Sequence, residues 1–205
     1  MSSPVMEIAR QKAEGASTRC LILQVAERLF REIGYRKTTV ADIAKSLRMS
    51  SGNVYRFFDS KSAINEAVAE RLIAELEDEL LLIVGRGAPA AERLVAFLAA
   101  AHALSASRFT AERRMHEMVE VAMAENWRVV HDHLGRVHEM LKRLVEEGVA
   151  AGEFEVPDTT VAARCVQTAF VRFCHPALIV QCADEPGPTL EEHTAFILRG
   201  LGHRG

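Results

Sequence analysis

Glycine and proline are few, 12 and 6 among 205 residues, and the aromatics amount to nine Phe, two Tyr and one Trp. So few turn formers exclude a collagen-like or low-complexity chain. Cysteine is scarce as well. Cys20, Cys165, Cys174 and Cys182 form no CxxC pair, and four scattered thiols make no disulfide framework. They read as small buried hydrophobes in a reducing, cytoplasmic protein. No basic segment followed by an apolar run opens the chain, so no secretory signal is expected. Long hydrophobic runs are missing too. The stretch 88–104 is Ala-rich, but Glu92, Arg93 and His102 interrupt it short of a membrane span. There is no HExxH, P-loop, nucleophile elbow or dinucleotide fingerprint. No motif therefore supports catalysis, and no cofactor is expected.

What is present is ordinary for a soluble globular protein: 49% apolar and 26% charged residues. Ala, Leu, Val, Glu and Arg dominate, which favours helix. The length suits one domain, or one plus a small module, and a core that needs no staples. Net charge is −3, but it is unevenly spread. Residues 1–61 hold 11 Lys/Arg against 6 Asp/Glu, and residues 62–205 hold 14 against 22. A basic first third on an acidic remainder points to a polyanion met by the N-terminal part alone.

Along the chain the pattern is helical throughout, with no alternating strand signal. Residues 1–16 read as a polar N-terminal extension with one helical turn near 6–12. From Ser17, the residues Leu21, Ile22, Val25, Ala26, Leu29, Phe30 and Ile33 form one apolar face. Ser17 or Thr18 suits the N-cap and Gly34 the stop. Thr38 and Thr39 cap a short helix that turns Val40, Ile43, Ala44 and Leu47 inward. After a tight turn at 48–50, Ser50 or Ser51 caps a third helix reaching about residue 58. Ser60 opens a long fourth helix, with Ile64, Val68, Leu72, Leu76, Leu80 and Ile83 along it, which ends at Gly85. Some 24 residues at 1.5 Å each span roughly 36 Å, enough to link two regions. Five further helices are expected, near 90–107, 110–125, 127–151, 158–174 and 189–200. Pro176 interrupts the chain after the fourth of these.

The informative stretch is 38–61, TTVADIAKSLRMSSGNVYRFFDSK. Two short helices joined by a tight turn make a helix-turn-helix, whose second helix enters the DNA major groove. That helix turns Ser51, Gly52, Asn53, Tyr55 and Arg56 outward and Val54 and Phe58 inward. Base edges would be read by Arg48, Ser50, Asn53 and Arg56. Phosphates would be met by Tyr55, and by Thr39 and Lys61, which stand at helix N-termini; Thr38 is counted among the DNA-binding residues beside them. Taken singly, Ser, Gly and Asn before a helix are ordinary caps, and Tyr55 and Phe58 ordinary core. Only the whole constellation argues for DNA.

Residues 17–61 resemble the DNA-binding domain of the TetR family of bacterial transcription regulators. The likeness is carried by Ala26, Phe30, Gly34 and Tyr35, by Thr38, Thr39, Val40, Ile43 and Ala44, and by Ser51, Gly52, Asn53, Val54, Tyr55, Phe58, Ser60 and Lys61. Phe57 departs from the pattern, standing where members often carry a phosphate-facing His or Tyr. The resemblance implies an all-α fold. A three-helix DNA-binding domain (17–61) would precede a helical ligand-binding and dimerisation domain (62–205). The protein would then be a homodimer that binds double-stranded DNA at a palindromic operator, most simply a repressor released by a small-molecule effector.

By the same analogy, Phe97, His102, Met115, Met118, Val119, Met123, Trp127, Phe170 and His175 are pocket candidates. The methionines favour a lipophilic effector. Each of these residues serves equally as plain core. Val161, Cys165, Thr168, Ala169, Arg172, Phe196 and Leu201 are candidates for the subunit contact, or for the monomer core. His116 and Glu120 stand at i, i+4, while His131 and His138 lie about 10 Å apart, too far to share one ion. No metal site is expected. The rival reading is a helical small-molecule-binding or adaptor protein whose helix-turn-helix meets protein instead of DNA.

Overall fold

The computed structural model describes residues 4–107, 121 and 128–204, with side chains from residue 16 onward. The described residues form helices and turns, with no strand among them. The helices are α1 (Pro4–Ile33), α2 (Val40–Ser46), α3 (Ser51–Tyr55), α4 (Lys61–Val84), α5 (Ala90–Ser105), α6 (Arg128–Ala150), α7 (Thr159–Ala169), α8 (Val171–Cys174), α9 (Pro176–Gln181) and α10 (Leu190–Gly200). The helix expected near 110–125 lies outside the described residues.

The chain divides into two compact units, Met1–Arg71 and Leu72–Gly205. The division falls within α4, just short of its midpoint, and not at 61/62. The first turns of α4 belong to the first unit, because Ile64 and Val68 are fully buried there.

In the first unit, α1 begins at Pro4, so Ser17 and Thr18 lie inside a helix and cap nothing. Residues 4–16 are therefore not set apart as an extension. Proline is at home at a helix start, where its missing N–H has no intrahelical partner to lose. The stretch Gly15-Ala16-Ser17 holds no residue that forces a helix to stop. The buried stripe of α1 is narrower than periodicity suggests. Ile22, Ala26 and Phe30 are fully buried, while Leu21 is 46% and Ile33 41% exposed. Gly34, at φ +92°, ends α1 in the left-handed region that glycine enters freely. Tyr35 then meets the Phe30 ring edge to face, with centroids 5.4 Å apart. Ile43, Val54, Phe58 and Ile64 complete this small core.

In the second unit, α6 packs mainly against α7 and α5. Leu94, Phe97, Leu98, Leu141, Leu144 and Val145 lie at the centre, each almost fully buried. Gly152, at φ +75°, stops α6. The helix expected over 158–174 breaks at Phe170, whose carbonyl accepts from the Phe173 N–H at 2.9 Å. That three-residue step stacks the Phe170 and Phe173 rings, 5.7 Å apart. Pro176 starts α9 at a position where proline loses no hydrogen bond.

Candidate nucleic-acid interface

The motif is assembled from local hydrogen bonds. Thr39 caps α2: its Oγ1 accepts from the Asp42 N–H at 3.2 Å, while Asp42 Oδ2 accepts from the Thr39 N–H at 2.9 Å. Thr39 Oγ1 also donates to Asp42 Oδ2 at 2.6 Å. The Thr39 hydroxyl, then its N–H, with Lys45 nearby, hold the Asp42 carboxyl below the ordinary carboxylate range. Ser50 caps α3 by accepting from the Asn53 N–H at 3.2 Å. Between the two helices Arg48 takes φ +54°, the only non-glycine residue with positive φ among those described. That reversal brings the Met49 N–H back onto the Ala44 carbonyl at 3.0 Å.

Three buried residues anchor α2, namely Val40, Ile43 and Ala44, whereas α3 buries Val54 alone. A five-residue helix with one buried side chain is held by its cap and by packing, not by propensity. The rest of its surface is left outward. Gly52, Tyr55 and Arg56 are exposed, and Ser51 and Asn53 are half-buried. A side chain at Gly52 would meet nothing closer than Ser50 Oγ, 3.9 Å away. Among the described residues no close contact requires glycine at this position.

The structure redistributes the other expected contacts. Thr38 is completely buried, and its hydroxyl donates to the Gly34 carbonyl at 2.8 Å. It braces the α1–α2 turn and is withdrawn from the DNA-binding set. Two adjacent threonines look alike in sequence, but Thr39 is the one that caps α2, on extended backbone. Lys61 opens α4, yet its Nζ donates to the Arg36 carbonyl at 3.2 Å and lies 4.2 Å from the Tyr35 ring centroid. Partial burial pulls its pKa below the usual lysine value. Phe57 is half-buried.

Sequence reading passed over Arg36, Lys37 and Lys45, all exposed in or beside the motif. Their only signal was the basic excess of residues 1–61. It also passed over Arg19, whose guanidinium sits over the Phe58 ring at 4.5 Å.

In the second unit the candidates scatter. Phe97 and Phe170 are 2% and 4% exposed. His102 Nδ1 pairs with the Phe173 carbonyl at 2.8 Å and helps line a cavity of about 280 Å³ with Arg172, Cys182 and Thr189. His175 is half-buried. Met115, Met118, Val119, Met123 and Trp127, like His116 and Glu120, lie outside the described residues. A larger groove, of about 620 Å³, lies between α4 and α6 beside Glu77, Leu81, Arg136 and Met140, none of them anticipated.

Among the subunit-contact candidates, Val161 (58%) and Phe196 (64%) are exposed, as are Cys165, Thr168 and Ala169. Leu201 is buried, and Arg172 turns inward to the carbonyls of Cys182 and Glu185. Both therefore leave that face. The cysteines are not the buried hydrophobes expected: Cys20 and Cys165 are exposed because each points off its helix's buried stripe. Burial does push the Cys174 thiol up to about 11. Among the described residues no group of three His, Cys, Asp or Glu could hold a metal ion, and no helix is long and apolar enough to cross a membrane.

A capped helix, a left-handed turn and a short, outward-facing second helix define the class: a helix-turn-helix DNA-binding protein. Comparison with known proteins refines this. The family description "Bacterial regulatory proteins, tetR family" matches residues 22–68, and "Tetracyclin repressor-like, C-terminal domain" matches residues 90–194. The chain belongs to the TetR family of transcriptional regulators. It is 30% identical over 157 residues to the HTH-type transcriptional repressor KstR2 of Mycolicibacterium smegmatis, covering 73% of each chain. It is 28% identical to the KstR2 repressor of Rhodococcus jostii, covering 65% of this chain and 66% of that one. A TetR/AcrR-family regulator from Thermobifida fusca has the same fold, with a TM-score of 0.60 at 25% identity, covering 90% of this chain and 96% of that one.

Proposed function

We propose that the protein is a repressor that binds a palindromic operator as a homodimer in the cytoplasm, and that a small molecule releases it. The observation that carries this reading is α3, a helix too short to stand alone that keeps Gly52, Tyr55 and Arg56 outward. Arg48, Ser50, Asn53 and Arg56 read base edges. Ser51, Tyr55, Thr39 and Lys61 meet phosphates, and Gly52 lets the backbone come close to DNA. Two α3 helices must enter successive major grooves about 34 Å apart. The exposed Val161, Cys165, Thr168, Ala169 and Phe196 supply the subunit contact. The effector is lipophilic and enters among the C-terminal helices, where Met115, Met118 and Met123 cluster in sequence. It favours a conformation in which α4 moves and the two α3 helices no longer match the grooves.

Selection of genomic fragments by purified protein, with affinity followed against salt, tests this reading. A palindromic site is expected, with log affinity falling linearly against log salt by about 0.9 for each phosphate contact. Arg56→Ala costs about 1–3 kcal/mol and relaxes preference at one base, whereas Tyr55→Ala weakens all sequences alike. Failure to enrich any fragment, before and after ligand stripping by refolding, overturns the proposal in favour of an adaptor.

A further inference from the structure

Among the described residues Glu77 is the only buried carboxylate, at 7% exposure. It sits on α4, in the part belonging to the second unit. Both of its oxygens are taken by α6. His133 Nδ1 lies 2.7 Å from Oε1, and Arg136 Nε donates to Oε2 at 2.6 Å. A carboxylate only accepts, so the His133 Nδ1 carries the proton. Residues 133 and 136 are three apart on one helix face, so one turn of α6 grips one side chain of α4. A buried ion pair of this kind is a poor source of stability, because desolvation offsets most of the attraction, and apolar residues would hold two helices as well. What the arrangement adds is position and direction.

We propose that Glu77 is the positioning residue through which the C-terminal domain sets α4, and that His133 makes this grip adjustable. The inference rests on the reading of α4 as the relay to the DNA-binding unit. The helix is unbroken from Lys61 to Val84, so Glu77 sits on the same helix that carries Lys61. The grip is reachable from solvent, since Glu77 and Arg136 line the groove of about 620 Å³.

The charged groups that act on His133 are Glu77 from α4 and Arg136 from α6. Burial lowers the His133 pKa, opposed by the hydrogen bond and charge of Glu77 and reinforced by Arg136. A base whose folded value lies below its unfolded one favours the folded contact above the unfolded value. That contribution is lost as pH falls through the folded value. Acid therefore favours a state in which His133 reaches water and α4 is released.

Hydrogen exchange of the full chain, read by mass spectrometry with intrinsic rates corrected, tests this without DNA. Glu77→Gln is expected to raise exchange about fivefold or more across residues 61–71 as well as 72–84. Wild-type protein should move toward that pattern between about pH 7.5 and pH 5.5, and His133→Asn, which keeps a donor near Nδ1 but does not titrate, should not. Exchange confined to 72–84 in Glu77→Gln, or a wild-type pH profile in His133→Asn, overturns the proposal. If Glu77→Gln fails to fold, the His133→Asn pH profile decides alone. Failure of fragment selection would count against the regulator reading and leave this result standing.

Discussion

Each of the two units is held together internally by a different kind of contact. In the first, most of the hydrogen bonds that shape the motif link residues three or four apart: Thr38 to Gly34, Thr39 to Asp42, Asn53 to Ser50 and Ala63 to Ser60. In the second, several polar contacts span far greater separations. Glu153 reaches back to α5, Glu77 pairs with His133 and Arg136, and His102 meets Phe173, all more than fifty positions apart. A surface that must fit a nucleic-acid groove is best built from short capped helices, whose shape depends little on distant residues. A domain that must respond to a ligand gains from distant residues that hold one another. If this contrast is right, single substitutions in the second unit should cost more than those in the motif.

The largest loss is expected at Gly148. A Cβ there would lie 2.2 Å from Phe154 Cδ2 and 2.4 Å from Cε2, and the Phe154 ring is itself buried. Alanine is the better helix former by about 1 kcal/mol, so only the collision can make Gly148→Ala destabilising. Overpacking against a buried ring should cost about 3 kcal/mol net, which lowers Tm by roughly 6–12 °C in a chain of this size. Combining it with Phe154→Leu should recover most of the loss. Calorimetry of the two single variants and the double variant checks this, and additive losses would mean that the two residues are not coupled.

The contrast also explains what could be read from the sequence. Caps and stops were legible at Thr39, Ser50 and Gly34, because each acts within one turn of chain. The outward set on α3 was legible for the same reason. Which of two adjacent threonines faces outward was not, because the choice depends on backbone angles set by the α1–α2 turn. The start of α1 at Pro4 was missed because a helix runs on wherever nothing stops it. Glu77, Glu153 and the inward turn of Arg172 were missed because their partners come from other elements. Leu201 was open to either role, subunit contact or monomer core, and its own unit buries it.

A smaller loss is expected at Glu153. Pro89 precedes α5 and offers no side-chain cap. Glu153 caps that helix instead, accepting from the Ala90 N–H at 2.9 Å and the Ala91 N–H at 2.8 Å. Burial would raise its pKa, but the two backbone donors prevail and the net value is lowered. Glu153→Ala should cost about 1–2 kcal/mol, the upper part of the range for a cap, since two donors at a helix N-terminus lose their anion. Urea unfolding at neutral pH measures this. A loss smaller than that of Thr39→Ala would break the proposed contrast, because a remote cap would then be no more costly than a local one.

The smallest effect is expected at Thr39 itself. Replacing an N-cap threonine by alanine costs about 1 kcal/mol, and here it also removes the hydroxyl donor that most favours the Asp42 carboxylate, leaving the backbone N–H. The sign with pH follows from that partnership. The Asp42 pKa is depressed in the folded chain, so its contribution is present above the ordinary carboxylate range and is lost as pH falls through the lowered value. The gap between wild type and Thr39→Ala should therefore be widest near neutrality and narrow in acid. Thr39→Ser, which keeps the hydroxyl, should retain most of the wild-type pH dependence. A gap independent of pH would mean that the threonine acts only through its own cap bond. The two halves of the box would then be separable, and the motif would depend on its neighbours even less than its short-range hydrogen bonds imply.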